Sequence, residues 1–416
     1  MEHSNSDNPQ LMPFLCSSML KRGLALIVLC ALAASLSNAQ TPTTGPRLNI
    51  YGFAMMDTGI ELGSSHPDWF DVVRPTKLPS FEDEFGKDGH WFAGVRQSRF
   101  GAKGYIPTSA GEIKTTFEFE LFGTGVDAGQ TTFRLRHAYG EFHQVGAGQT
   151  WSPFMDPDVF PNSVEYWGPN GMVFFRNVQV RWTPWSKGDS RFVLAVERPG
   201  ASGDQGNYAG RIELQGVKAR FPWPDISSHY RVAEKWGHLQ IGGIFRKIKW
   251  DDNFKDQFNL DGGTIGWGVN LSSNIKVKKD TIRLQYVYGE GIQNYMNDAP
   301  EDIGIVKNAS NPTTPLLGKA IPMMGTVAFL DHTWNDKFTS TIGYSRLDID
   351  NTNGQAPNAF RVGQYALTNV LYSPVKDVLL GPEFQWGQRA NNSDGFHSND
   401  YKVQFSFKYN FSAEVK

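Results

Sequence analysis

Disulfide chemistry has no place in the working part of this chain. Its two cysteines, Cys16 and Cys30, both lie in the first 39 of 416 residues, inside a segment built like an export signal. Lys21 and Arg22 precede the apolar run Gly23 to Ala34, and Ser37-Asn38-Ala39 forms a small-residue cleavage site. An exported chain without mature cysteines must draw its stability from something other than a disulfide framework. Long apolar runs are missing too. Nothing after Ala39 approaches the roughly 18 residues that would make a spanning helix. A net charge of −2 provides no strong field to attract nucleic acid. Catalytic signatures are equally scarce. His137, His143, His229, His238 and His332 show no HExxH spacing, and neither a Gly-x-Ser-x-Gly elbow nor a Gly-x-x-x-x-Gly-Lys phosphate loop occurs. Asp348 to Gly354 has the look of a calcium loop, but Asn353 stands where the tight turn wants glycine, and the segment reads as a loop tip. The expectation is a non-enzyme without metal or cofactor.

What is present is alternation. In the eleven residues Tyr401 to Phe411, the side chains Tyr401, Val403, Phe405, Phe407, Tyr409 and Phe411 share one face, and Lys402, Gln404, Ser406, Lys408 and Asn410 share the other. That length suits a tilted strand crossing a bilayer, about 9–11 residues, better than a globular strand. Ile113 to Leu121 sets its apolar side chains against Lys114, Thr116, Glu118 and Glu120, and Phe133, Leu135 and Tyr139 oppose Arg134 and Arg136. Sixteen extended segments are expected between 47–60 and 399–411, with short gaps alternating with long ones such as 61–90, 199–224 and 290–322. Short turns at one rim and long loops at the other predict a transmembrane antiparallel up-and-down β-barrel. Its mean hydropathy of −0.40 is compatible, because half of each barrel strand faces water. Trp69, Trp91, Trp182, Trp185, Trp236, Trp250, Trp334 and Tyr372 near segment ends are expected at the lipid headgroups. Two segments break the pattern: Arg96 shares a face with Phe100, and Arg176 with Val180, so a bulge or a protein contact is expected there. The domain plan is a signal over 1–39, with translation expected to begin at Met19, a short periplasmic leader over 40–46, and one barrel over 47–416.

Charges on the wet faces point to a lumen. Arg99, Lys103, Arg134, Arg136, Arg181 and Arg283 are the candidate pore-lining residues, since guanidinium forks bind carboxylates and a ring of basic groups favours anions. Balanced by Glu118 and Glu120, the same charges would instead give a pore of little selectivity. Gly148 to Met172 carries Asp156, Asp158 and Glu165, with Pro153, Pro157, Pro161 and Pro169 barring regular structure. Folded inward, this loop would narrow the pore and set its carboxylates opposite the basic wall; folded outward, it would cover the mouth.

Gln97 to Gly104, Arg134 to Phe142, Gly148 to Asp156, Pro161 to Pro169 and Trp236 to Gln240 resemble the DcaP-like outer-membrane porins of Gram-negative bacteria. The resemblance implies a sixteen-stranded barrel, a homotrimer in outer-membrane lipid, an inward-folded third loop at 152–172, and diffusion of small anions such as dicarboxylates. Two departures stand out. Gln40 to Pro46 is too short for the helical segment some relatives carry before the barrel, and Ser412 to Lys416 follow the last aromatic, Phe411. Rival readings are a general diffusion porin, an outer-membrane barrel hydrolase and a secreted β-rich binding protein.

Overall fold

A computed structural model describes residues 45–254 and 256–415. The export signal over 1–39 and the leader up to residue 44 lie outside the described residues. Eighteen strand segments join in one sheet, and two pairs of segments continue one another, leaving 18 − 2 = 16 wall strands. They are β1 (Arg47–Glu61), β2 (His90–Gly94, then Arg99–Thr108), β3 (Gly111–Phe122), β4 (Thr131–Phe142), β5 (Val145–Trp151), β6 (Arg176–Lys187), β7 (Ser190–Glu197) and β8 (Val217–Arg220, then Asp225–Glu234). The ring continues with β9 (Gly237–Asp252), β10 (Gly262–Val277), β11 (Asp280–Glu290), β12 (Pro322–Thr333), β13 (Phe338–Ile349), β14 (Phe360–Tyr372), β15 (Val378–Asn391) and β16 (His397–Val415). Each strand pairs antiparallel with its sequence neighbours. The cylinder closes where β1 pairs β16 from Leu48↔Val415 to Glu61↔Lys402. Closure removes the two edges of an open sheet, and the upper part of β4, whose pairing with β5 stops at Ala138↔Gln149, is left as an unpaired stretch.

The expected alternation holds in β16, where Tyr401, Val403, Tyr409 and Phe411 are exposed while Lys402, Gln404 and Ser406 are buried. This strand runs past Phe411 to Val415, because Leu48 to Tyr51 offer further ladder partners. The two irregular segments have separate causes. The wall breaks between Gly94 and Arg99, and Arg96 turns to pair with Asp71. Arg176 stands at the very start of β6, where its side chain leaves the strand parity and lies over Trp151.

One alternation fails in β4. Glu118 faces His137 but Phe119 faces Leu135, so Arg136 is an extra residue in a bulge. Parity reverses there, and Tyr139, expected on the apolar face with Phe133, lies beside the lumen residue Arg181 instead. A second difference concerns the lumen itself. Ile244, Val287, Met323, Val327, Phe329, Leu347 and Leu367 point inward and are buried in one apolar cluster with Phe154, Met155, Val159, Met172, Ile292 and Tyr295 from the long loops. Part of the interior along β9–β14 is therefore filled by an apolar cluster and not by open lumen. Of the tryptophans expected at headgroup level, Trp91, Trp185, Trp236 and Trp334 are exposed near strand ends. Trp69 is buried against Trp167, and Trp250 lines a cavity among the long loops.

Leu271 stands midway along β10 on the exposed face, and Ser272 beside it is buried. Leu271→Arg should cost about 2–4 kcal/mol in a bilayer. Denaturant unfolding in liposomes measures this, and an unchanged midpoint would place Leu271 away from lipid.

Candidate functional site

The site grows from two carboxylates of β3. Glu118 and Glu120 are two residues apart, so strand geometry projects both into the lumen. Arg136, released by the bulge, reaches both: its Nε donates to Glu118 at 2.6 Å and its Nη1 to Glu120 at 2.7 Å. Arg99 on β2 donates to Glu120 at 3.1 Å. Arg134 and Arg176 approach Glu120 at 3.7 Å and 4.0 Å. The Tyr51 hydroxyl donates to Glu118 at 2.7 Å, and the Tyr166 hydroxyl donates to Glu120. Four guanidinium groups against two carboxylates leave 4 − 2 = +2. Burial sorts their roles. Arg136 and Arg176 are 6% and 7% exposed, whereas Arg99 and Arg134 are 24% and 30% exposed and offer their charge to water.

The loop between β5 and β6, residues 152–175, crosses the lumen and is held along its length. Ser152 donates to Glu197 of β7 at 2.6 Å, and Asn270 of β10 donates to the Phe154 carbonyl at 2.8 Å. Asn369 of β14 donates to the Asn162 carbonyl at 2.8 Å, and the Val164 amide donates to Glu383 of β15 at 3.0 Å. A Cβ on Gly171 would lie 2.3 Å from the Arg346 carbonyl, so only glycine lets the loop backbone press this closely on β13.

The loop carboxylates do not oppose the basic wall, as was expected. Asp156 accepts from Arg231 at 3.2 Å and from Ser272 at 2.6 Å, and lies 2.7 Å from His238. Asp158 takes the other fork of Arg231 at 2.5 Å. Glu165 is buried and accepts the amides of Val73 and Gly168. These three groups anchor the loop. Burial pushes Asp156 up, but the hydrogen bonds and charges of His238, Ser272 and Arg231 outweigh it and hold the carboxyl below its ordinary range. Burial dominates at Glu165, and with the charge of Glu383 it drives the carboxyl up to about 8 against the opposing amides. Asp156, Asp158 and His238 bring ligand-type atoms within 4.8 Å of one another. Arg231 and Ser272 already occupy those oxygens, so the group serves as an anchor. The calcium-like Asp348 is likewise engaged, by Arg346 at 2.6 and 2.8 Å.

Of the six candidate wall residues, Arg99, Arg134 and Arg136 gather around Glu120. Lys103 stands apart, 5.2 Å above the Tyr51 ring. Arg181 bonds the Trp151 carbonyl at 2.6 Å, and Arg283 is paired with Asp331 at 2.5 Å. Arg176 joins the cluster without having been picked as lining; its break in alternation was the signal. The Tyr166 hydroxyl and the Trp151 ring beneath Arg136 and Arg176 complete the site. A cavity of about 310 Å³ is lined by Arg134, Tyr166, Phe174 and Arg176, and another of about 470 Å³ by Asp158, Phe160, Arg231 and Arg283. The Phe160 and Phe174 rings are 5.6 Å apart, so this aromatic pair stands between the two spaces.

The family model of the DcaP outer membrane protein matches residues 91–411. The fold is similar to the crystal structure of the outer membrane channel DcaP of Acinetobacter baumannii, with a TM-score of 0.73 and 20% identity over 90% of this chain and 99% of that one. It is also similar to an anion-selective porin from Comamonas acidovorans, with a TM-score of 0.58 and 10% identity over 88% of this chain and 100% of that one. The trimer form of OmpT from Vibrio cholerae aligns with a TM-score of 0.51 and 12% identity over 88% and 100% of the two chains. Comparison with curated protein sequences finds no match.

Asp156→Ala leaves His238, Ser272 and one fork of Arg231 without their partner and should cost about 3–5 kcal/mol, read as a lower unfolding midpoint and a noisier single-channel current. An unaltered trace and midpoint would remove Asp156 as an anchor. Glu165 gives a pH test. Its raised value means that its stabilising contribution is complete below about 4.5, the ordinary glutamate value, and is lost as pH rises through about 8. Relative to Glu165→Gln, the parent should therefore lose stability with rising pH; parallel pH–stability curves would contradict this.

Proposed function

Because the chain belongs to the DcaP outer membrane protein family and is a porin of the bacterial outer membrane, we propose that it passes small hydrophilic solutes by diffusion, preferring anions such as dicarboxylates. The observation that carries this reading is the surplus of +2 around Glu118 and Glu120, with Arg99 and Arg134 the two partly exposed cations. A diacid can meet both guanidinium groups at once, and charge-assisted contacts of this kind are stronger than neutral ones. The Comamonas relative is named anion-selective, which agrees in direction. Solute movement needs no bond-making, so the reading includes no turnover.

The assembly proposed is a homotrimer. Phe100, Phe117, Phe133 and Leu135 are exposed on the outer face of β2–β4. The upper part of β4 has no partner in β5, since their pairing stops at Ala138↔Gln149. An aromatic surface beside a low stretch of wall suits burial against a second subunit, and one structural relative is described as a trimer. An N-terminal export signal ending at Ala39 belongs to the same proposal.

Selectivity is best tested by Arg99→Gln plus Arg134→Gln. Removing Arg136 would strand two buried carboxylates and confuse misfolding with selectivity. A unit charge at 4 Å in water is worth about 1 kcal/mol, so the anion-to-cation permeability ratio should fall roughly five-fold or more. Reversal potentials across a salt gradient measure it, together with weaker block by added diacid. Cation preference in the parent, or identical potentials in both proteins, would overturn the reading.

A further inference from the structure

We infer that the outward face of β8–β10, at the long-loop rim, binds the phosphorylated sugar headgroup of a glycolipid in the outer leaflet. The level of this patch follows from register. Phe245 pairs with Trp267 and Lys247 pairs with Ile265. Ile241, Phe245, Ile265 and Trp267 are exposed on the lipid side. Trp267 packs with Tyr288 at 6.0 Å, and such an aromatic band sits at headgroup depth. Lys247 stands one outward-facing position beyond Phe245, about 7 Å along the strand, and Lys249 about 14 Å. Arg220 pairs directly opposite Lys249. These cations therefore lie just above the hydrocarbon, where flexible side chains reach headgroups.

The local charges select the ligand. Lys218, Arg220, Lys247 and Lys249 face Asp251 and Asp261, for 4 − 2 = +2. A phosphate monoester carries about −1.5 to −2, which matches. Asp251 engages Arg220 at 2.7 Å, while neither Lys247 nor Lys249 has an acidic partner among the described residues. A cavity of about 490 Å³ opens among Arg220, Lys247, Lys249, Asp261 and Thr264. The two carboxylates would repel a bare anion but can accept hydrogen bonds from sugar hydroxyls. A phosphodiester lipid without sugars offers neither the second charge nor enough such donors. Acyl chains would follow Phe245 and Ile265 down the wall. The patch is several strands around the ring from the aromatic face of β2–β4, so subunit contact there would leave it facing lipid.

Native mass spectrometry of the detergent-extracted protein tests the site with four probes: bisphosphorylated lipid A, the same lipid stripped of phosphate, phosphatidylglycerol and inorganic phosphate. Bisphosphorylated lipid A should bind most tightly. Lys247→Gln plus Lys249→Gln should weaken it roughly ten-fold or more, the worth of a charge-assisted contact, and Lys247→Arg plus Lys249→Arg should restore it. Heat-dependent gel mobility and channel conductance verify folding, and both should match the parent. Equal binding of the stripped lipid would reduce the patch to apolar wall. Equal binding of phosphatidylglycerol or of free phosphate would overturn the sugar-phosphate assignment, as would an undiminished affinity in the glutamine variant with the parent's fold.

Discussion

Hydrocarbon offers no hydrogen bonds, and a backbone amide left facing it costs several kcal/mol. The ladder between β1 and β16 answers that constraint, and the rest of the molecule follows from it. Once the sheet is closed, every strand has one face toward lipid and one toward the interior. Lys402, Gln404 and Ser406 must then turn inward because Tyr401, Val403 and Tyr409 turn outward. The charges of β2, β3 and β4 are concentrated in the same way, inside a wall that cannot slip register without exposing them.

A closed interior creates a second problem, since sixteen strands enclose more space than their own side chains fill. Two devices occupy it here. On the β9–β14 side, apolar side chains of the wall pack against Phe154, Met155, Met172, Ile292 and Tyr295 from two long loops, a hydrophobic core inside a membrane barrel. On the β1–β7 side, arginines and glutamates hold one another in an ion-pair network. The crossing loop separates the two regimes. Its carboxylates Asp156 and Asp158, pinned by Arg231, His238 and Ser272, hold it in place.

That division bears on the proposed anion preference. A ring of evenly spaced basic residues would present them all to the solute. Here Arg136 and Arg176 are spent on Glu118 and Glu120 and on the Trp151 ring. They orient the carboxylates and raise the local potential from behind. Arg99 and Arg134 are the more exposed guanidinium groups, and under the proposed function they are the ones that meet a passing anion. Mixed clusters of this kind keep solute attraction moderate, which conduction requires, because a site that binds too well does not release.

The closed barrel was legible in the residues alone, because strand parity with lipid on one side is a local rule: Tyr401 to Phe411 and Ile113 to Leu121 state it directly. Residues on a common face, such as Arg99 with Lys103 or Arg134 with Arg136, were legible for the same reason. Contacts between distant segments were not. Periodicity cannot say that a bulge at Arg136 reverses the parity of Tyr139, because a bulge depends on the neighbouring strand. Nor can it say that Asp156 meets Arg231 and His238 across 75 and 82 residues of chain, or that Val287 and Phe329 are inward yet dry. Those outcomes depend on where the crossing loop comes to rest, and that is decided by packing against ten or more strands at once.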